Sequence, residues 1–577
     1  MSCIHLHLGQ AGIQLGESFW GLAEADFSVG GGGRGRSGTQ QMRPGGTAMF
    51  HEDGGWARCL AVDSEPKVVQ RFQSRVASLR PENAIFSQSG LANNWAMGFA
   101  SCRSDDGGGG QEGGPFCRCM EGMRKEAERS SWLNSVVMTH SLAGGTGSGL
   151  GSGLLQALRD EYPSLYLFSA CVGPFGTGDT PLQHYNSVLA LQHLQAYADC
   201  VIFRGNDDLL RGAAAASAGM NAAAGDAQHK AVGGGDGGWG GGWRPVGALS
   251  RRGSRDGGRS AVVAVAGRGG TVTSTADMNA SFALDMASYF FPASMPYDHF
   301  GQTAPEAASA HRPHGGPRRL SRPRPRQQEM APRPFDGGSL MAAACPLPGA
   351  KFVDLRSSLS IGPTAFDSAS SAAAAATAAK KGWAALADNL GRRAPLCPRK
   401  GGGLDDDACV GAHQVVRGAA SEGSDSVVDY FAGGGRGRGA NGRDGGDSIS
   451  VGRSAAAAAA AASREAGEAL HRHHECPGWR TMTDVSFAPA LPSRGHSRSI
   501  TTVCNQTRIR WVLRDVVKRA AEKFRARAYL HWYYRHGLED EDFLAAFEGV
   551  TSVERGYDGL ARAFGGSGGG GERPERW

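Results

Sequence analysis

The stretch that most constrains this chain is THSLAGGTGSGLGSG at residues 139–153, with six glycines among residues 144–153. It follows an apolar run around Val136, Val137 and Met138 and precedes Leu150, Leu154, Leu155 and Leu158, which repeat at helical spacing. A buried strand therefore runs into a helix through a loop that is almost bare backbone. Glycine lets such a loop turn tightly and lets a ligand approach its N–H groups. The helix N-terminus adds partial positive charge, which makes the joint an anion site. A strand-to-helix turn with no ligand has the same letters, so the rest of the sequence must decide. Two familiar phosphate loops are excluded. The Gly-Lys-Ser/Thr pattern fails because no lysine lies between Lys125 and Lys230. The G-x-G-x-x-G pattern fails because Leu150 stands where the third glycine belongs after Gly145 and Gly147.

Around this loop, residues 116–210 alternate strand-like runs (WLNSVVMTH, LYLFSACVG, DCVIFR) with helix-like runs. That alternation predicts an α/β domain with a mainly parallel sheet. Its earlier parts are residues 1–28 and 57–104, separated by Gly-rich insertions near 29–46 and 105–115. Glycine totals 88 of 577 residues, about twice the usual share, and much of it lies outside the patterned blocks. Residues 211–500 hold Gly-, Ala- and Arg/Pro-rich stretches of low-complexity composition, with short islands such as SFALDMASYFFPASMP and KFVDLRSSLSIGP. Order returns at 501–564, where Leu513, Val516, Val517, Ala520, Ala521 and Phe524 fit one helix face. The acidic run LEDEDF then opens a second helix, with its acids in the first turn where the helix dipole favours them. Residues 565–577 read as a disordered tail.

The net charge of +6 is mild and spread unevenly, so nucleic acid is not expected as a partner. Neither a secretory leader pattern nor an apolar run of membrane-spanning length is present, and a soluble cytosolic protein is expected. Cys117 and Cys119 are too close for a zinc knuckle, and the scattered cysteines read as reduced thiols. His471, His473, His474 and Cys476 read as a His-rich linker, the Arg/Pro run at 312–326 as a solvated insertion, and YLHWYY at 529–534 as core packing.

AGGTGSG at 143–149 resembles the nucleotide-phosphate loop of the tubulin family, and companion motifs follow in the family's order. LGQAGIQLG (8–16) resembles the first phosphate loop, VDSEP (62–66) the loop with magnesium-side acids, and LANNWAMG (91–98) the loop whose Asn faces the γ-phosphate. GTGDTPLQHYNSVLALQHL (176–194) resembles the ribose loop and its helix, GNDDLL (205–210) a ribose-contacting segment, and RAYLHWYYRHGLEDEDF (527–543) the C-terminal hairpin. The resemblance covers residues 1–210 and 500–560, with islands between. It implies a Rossmann-like GTP-binding domain at 1–210, a small α+β intermediate domain swollen by insertions at 211–500, and a C-terminal helical hairpin. Within the family the chain is most similar to delta-tubulin: Trp95 follows the Asn pair, PFGTG precedes the ribose loop, and Gln183 replaces the glutamate of alpha- and beta-tubulin. Epsilon-tubulin is the runner-up.

The resemblance implies GTP or GDP with Mg²⁺, bound through Gln10, Ala11, Gln14, Asn93, Ser141, Ala143, Gly144, Gly145, Thr146, Gly147, Ser148, Gly149, Asp179 and Asn206. The amides of Gln10, Gln14, Asn93 and Asn206 suit phosphate, ribose and base edges. Asp63 and Glu65 suit a hydrated Mg²⁺, which takes one or two carboxylates. Ala11 and Ile13 depart from the family's Cys and Asn, and no convincing guanine-facing Asn is found at 220–230, where Asn221 is the nearest candidate. The expected role is structural, in the microtubule cytoskeleton at centrioles, basal bodies and cilia, with other tubulins and centriolar proteins as partners. The alternative is a monomeric GTP-dependent switch. ALDMASYFFP (283–292) reads as the intermediate-domain helix that lends a catalytic acid to a neighbour; Asp285 begins it, Pro292 ends it, and Ser288 takes the acid's place. GTP hydrolysis is accordingly expected to be slow or absent.

Overall fold

The computed structural model describes residues 2–27, 46–88, 90–103, 113–176, 180–213, 274–292, 335–359, 386, 389–390, 409–417, 483–488 and 499–565. Asp179, Asn221, the Arg/Pro run and the His-rich segment lie outside the described residues. The strands are β1 (Ser2–Leu8), β2 (Cys59–Asp63), β3 (Ala84–Phe86), β4 (Leu133–Ser141), β5 (Tyr166–Gly173), β6 (Cys200–Gly205), β7 (Phe352–Leu359), β8 (Cys409–Arg417), β9 (Thr483–Ala488) and β10 (Ser499–Gln506). They form one ten-stranded sheet in the order β3-β2-β1-β4-β5-β6-β7-β10-β8-β9. From β3 to β7 every pairing is parallel, and β10 runs antiparallel to both β7 and β8. The 3-2-1-4-5-6 core is a doubly wound, Rossmann-like α/β sheet whose strand order reverses between β1 and β4. In such sheets a ligand crevice opens at the carboxyl ends of the strands beside that reversal.

Side chains alternate across the sheet, as a period of two requires. Val137, Phe168, Ala170 and Ile202 enter one core layer, whereas Val136, Met138, Leu167 and Val201 enter the other. The first layer is closed by α1 (Gly9–Phe27), α2 (Pro66–Arg75) and α7 (Thr275–Phe290), where Phe19, Trp20, Phe72, Phe282 and Phe290 are buried. On the second face lie α3 (Trp95–Ala100), α4 (Pro115–Glu128), α5 (Gly151–Glu161) and α6 (Gln183–Tyr197), whereas α8 (Gly337–Ala344) lies against β8 in the first layer, where Leu340 and Ala344 are buried. The C-terminal helices α9 (Ile509–Arg525) and α10 (Asp540–Gly565) pack on each other and on α6. Leu513, Val516 and Ala520 are buried in α9, and Asp540, Glu541 and Asp542 occupy the first turn of α10. Among the described residues no helix is long and apolar enough to cross a membrane.

Two sequence expectations change here. The helix containing ALDMASYFFP starts earlier, at Thr275, and packs along α1 and against β7, β10 and β8. Its Ser288 is fully buried, and Asp285 is buried facing inward, accepting from Ser357 N at 3.1 Å with Arg204 at 3.7 Å. Neither side chain is presented to a neighbouring molecule. The physical reason is composition: Phe282, Met286, Tyr289 and Phe290 form an apolar stripe that seeks the sheet core. The YLHWYY segment also divides. Leu530 and Tyr533 are core, but Tyr529 and Trp532 are 43% and 44% exposed.

The two histidines of β1 are core residues. Trp20 Nε1 donates to His7 Nε2 at 2.9 Å, which leaves the proton on Nδ1 to donate to Thr139 Oγ1 at 2.5 Å. Burial holds His7 well below the usual imidazole range and His5 down to about 3, so both are neutral.

Candidate functional site

Three loops meet at the carboxyl ends of β1, β2 and β4. The turn after β1 begins at Gly9, whose φ of +68° only glycine adopts without strain. A Cβ there would also lie 3.1 Å from Gly147 N, so the first loop is stacked directly on the Gly-rich loop. Behind it α1 presses onto β4 so closely that a Cβ on Gly12 would fall 2.2 Å from Thr139 O. That approach sets Gln10, exposed, and Ala11 and Gln14, both half-buried, along the rim.

After β4, Ser141 Oγ accepts from Ala143 N at 3.2 Å, which shapes the entry to the loop. Residues Gly145–Leu150 then wind as a widened, π-type turn that continues into α5 without a break. Such turns occur often at functional sites. The first N–H groups of any helix have no carbonyl one turn back and need an outside acceptor. Gly144 precedes this run in extended conformation, and among the described residues only Asn93 Oδ1 comes within 4 Å of where its Cβ would be, at 3.8 Å. The cradle is thus open at Gly144, and the Asn93 side chain stands over it. Ser148 is turned inward and donates to the Gly144 carbonyl, so its hydroxyl braces the loop.

Asp63 closes β2 and reaches the same loop. Its Oδ1 accepts from Ser64 N at 2.7 Å and from Thr146 Oγ1 at 3.0 Å, while the Ser64 and Thr146 hydroxyls lie 2.9 Å apart. Burial raises the Asp63 carboxyl to about 6, against the opposing pull of those donors. Glu65, next to it at the start of α2, is exposed. Among the described residues no group of three or more His, Cys, Asp or Glu gathers to hold a metal unaided. The pair fits instead the manner of Mg²⁺, which takes one or two carboxylates and completes its shell with water and phosphate oxygens. Asn206 opens a helical segment at 206–213 after β6 and is half-buried.

Two amides at the site escaped sequence reasoning. Asn279, at the start of the second turn of α7, donates from Nδ2 to Gln14 Oε1 at 3.2 Å. It lies some fifty residues beyond the stretch where such an amide is expected, and the intervening sequence is low-complexity. Asn186, in α6, is completely buried and bonds the loops at Asn93 and Ala143. Its signal was present in QHYNSV, a polar residue inside an otherwise buried helix run.

Comparison with known proteins places this geometry. Residues 2–214 match the GTPase domain of the Tubulin/FtsZ family, a stretch that contains β1–β6 and every loop just described except α7. The chain is similar to the tubulin beta chain of Aspergillus fumigatus, at 31% identity over 203 residues, 34% of this chain and 43% of the relative. The tubulin beta-2 chain of Emericella nidulans is 32% identical over 215 residues, 36% of this chain and 45% of the relative. The tubulin beta chain of Porphyra purpurea is 30% identical over 214 residues, 36% and 44% of the two chains. The chain therefore spans less than half the length of the curated relatives it matches.

Proposed function

We propose that this chain is a tubulin-like protein of the microtubule cytoskeleton that binds GTP or GDP with Mg²⁺. The observation that carries the reading is the meeting of the Gly9 turn, the Gly144–Gly149 loop and Asp63 at the point where the strand order reverses. In this reading the Gly144–Gly149 backbone and Gln10 hold phosphate, and Asn93 lies over it. Asn206, with Gln14 and Asn279, reads sugar and base, with Asp179 beside the ribose. Asp63 and Glu65 hold the hydrated metal, which supplies charge neutralisation of the phosphates when bound.

The finer assignment is a delta-tubulin-like protein of centrioles and basal bodies, with other tubulins and centriolar proteins as partners. Trp95 and Gln183 support it. Trp95 is buried, and its Nε1 donates to Ser152 Oγ at 3.0 Å. Gln183 Nε2 donates to Phe175 O at 3.2 Å, so a neutral amide fits where a carboxylate would face that carbonyl. Hydrolysis is slow in this reading. The acid of α7 is committed to Arg204 and Ser357, and α8 carries no carboxylate. Missing general-base assistance costs roughly a hundred- to ten-thousand-fold in rate. Fluorescent tagging with co-purification tests the assignment: centriolar foci and recovered tubulins support it, and a diffuse protein free of tubulins overturns the cytoskeletal role in favour of a monomeric switch.

A further inference from the structure

The turn that carries Asn93 is held in a conformation L residues adopt reluctantly. Ala92 and Asn93 have φ of +47° and +52°, two left-handed residues in succession. Such backbone persists only where the surroundings over-determine it. Here the restraint is the Asn186 side chain. Its Nδ2 donates to Asn93 O and to Ala143 O, both at 2.7 Å. Its Oδ1 accepts from Trp95 N at 2.9 Å and from the Tyr533 hydroxyl at 2.7 Å. Two N–H groups and two lone pairs are thus all used, which also fixes which way the amide faces. Three of the four bonds go to the Asn93 turn and the Gly-rich loop. The fourth comes from the C-terminal segment, 347 positions away in the chain.

A second bond from the same segment grips the turn from its other side. Asn94 Oδ1 caps α3 through Ala96 N at 2.9 Å, and its Nδ2 donates to Trp532 O at 2.8 Å. Consecutive residues of the C-terminal segment therefore hold consecutive sides of one strained turn. Tyr533 is fully buried and packs edge-on against Tyr185 and Phe543, so its hydroxyl has little freedom to leave.

We propose that Asn186 is a positioning residue for the phosphate site and that Tyr533 sets its orientation, so that ligand affinity depends on the C-terminal helical segment being docked. The proposal rests on the nucleotide reading above. Tyr533→Phe removes one hydroxyl and leaves the ring. Tyr185→Phe is the matched control: its hydroxyl donates to Ala528 O at 3.1 Å, joining the same two layers without touching either loop. In the full-length protein, amide exchange over residues 91–95 is measured without nucleotide, GTP affinity by calorimetry, and melting temperature for both variants. Tyr533→Phe is expected to speed exchange at Trp95 and weaken GTP binding by about tenfold, the worth of one buried hydrogen bond. Tyr185→Phe is expected to change neither, although both variants melt alike. Asn186→Ala, which frees both loops, is expected to weaken GTP by about a hundredfold or more. Equal behaviour of the two tyrosine variants in exchange and affinity overturns the proposal. Absence of GTP binding by the unmutated protein overturns the nucleotide reading instead, and unchanged exchange in Tyr533→Phe still overturns the link.

Discussion

Gly149 and Gly151 sit two residues apart on the same run, yet alanine is expected to act oppositely at the two positions. A Cβ on Gly149 would fall 2.2 Å from Trp95 O and 3.0 Å from Gly98 Cα. Both are backbone atoms of α3, so no side chain can swing away. Normal contact requires α3 to retreat by roughly 1 Å, which pulls Trp95 N from Asn186 and loosens the turn at Asn93. Overpacking of this kind costs about 1–3 kcal/mol, against about 1 kcal/mol gained from alanine's helix preference. Because both clashing atoms are backbone, the cost lies toward the upper end of that range, and the net loss is up to about 2 kcal/mol, or up to roughly 8 °C in melting temperature for a domain of this size. At Gly151 the nearest atom is Leu8 Cδ1 at 3.3 Å, the mobile end of a side chain. Gly151→Ala is therefore expected to be neutral or up to about 1 kcal/mol stabilising. Thermal unfolding of both variants beside a GTP titration reads the difference. If Gly149→Ala melts at or above the unmutated protein and binds GTP normally, the close packing of α3 on the Gly-rich loop is wrong.

Burial raises Asp285 to about 6, with Arg204 pulling the other way. Because the folded value exceeds the unfolded one of 3.8, its stabilising contribution is full below about pH 4 and is lost as pH rises through 6. Asp285→Asn is expected to gain about 2–3 kcal/mol relative to the unmutated protein between those limits, seen by urea unfolding at pH 4.5 and 7.5, and to leave GTP turnover unchanged. A constant offset at the two pH values, or lost turnover, contradicts this. Asn279→Ala is expected to weaken GTP about five- to twentyfold with little change in melting temperature, since it removes one half-exposed amide beside Gln14; unchanged affinity places the base elsewhere. Thr146→Val removes the hydroxyl donor to Asp63, and the Mg²⁺ dependence of GTP binding is expected to weaken by about 1 kcal/mol in metal titrations.

The parallel core and its strand–glycine turn–helix joint were legible because their signals are local. Val136–Met138, the glycines and the leucines of α5 lie within one short stretch, and periodicity with glycine chemistry reads them directly. Asp63 was singled out only through the resemblance of VDSEP to a family loop; it closes β2 and bonds Thr146 of the Gly-rich loop. What failed was the placement of α7. A low-complexity stretch separates it from β6, and no sequence pattern states that its aromatic stripe returns to α1. Matched by resemblance alone, ALDMASYFFP was read as an intermediate-domain helix starting near Asp285, and Asn279, which lies before that start, was passed over. The Asn186–Tyr533 bond escaped for a deeper reason: hydrogen bonds between residues so far apart leave no periodicity, and each residue alone looks like ordinary buried filler. YLHWYY was half legible, since aromatic content predicts burial but not which rings stay outside.

Whether the joint at residues 143–149 holds a guanine nucleotide decides what this chain does. Purified full-length protein should be denatured and the released small molecules separated by chromatography, with labelled GTP titrated into protein stripped of ligand. Near-stoichiometric guanine nucleotide, retained in Mg²⁺ and rebound after stripping, is the expected result. No released nucleotide together with no binding of labelled GTP would mean that these glycines serve the packing of α1, α3 and β4 alone.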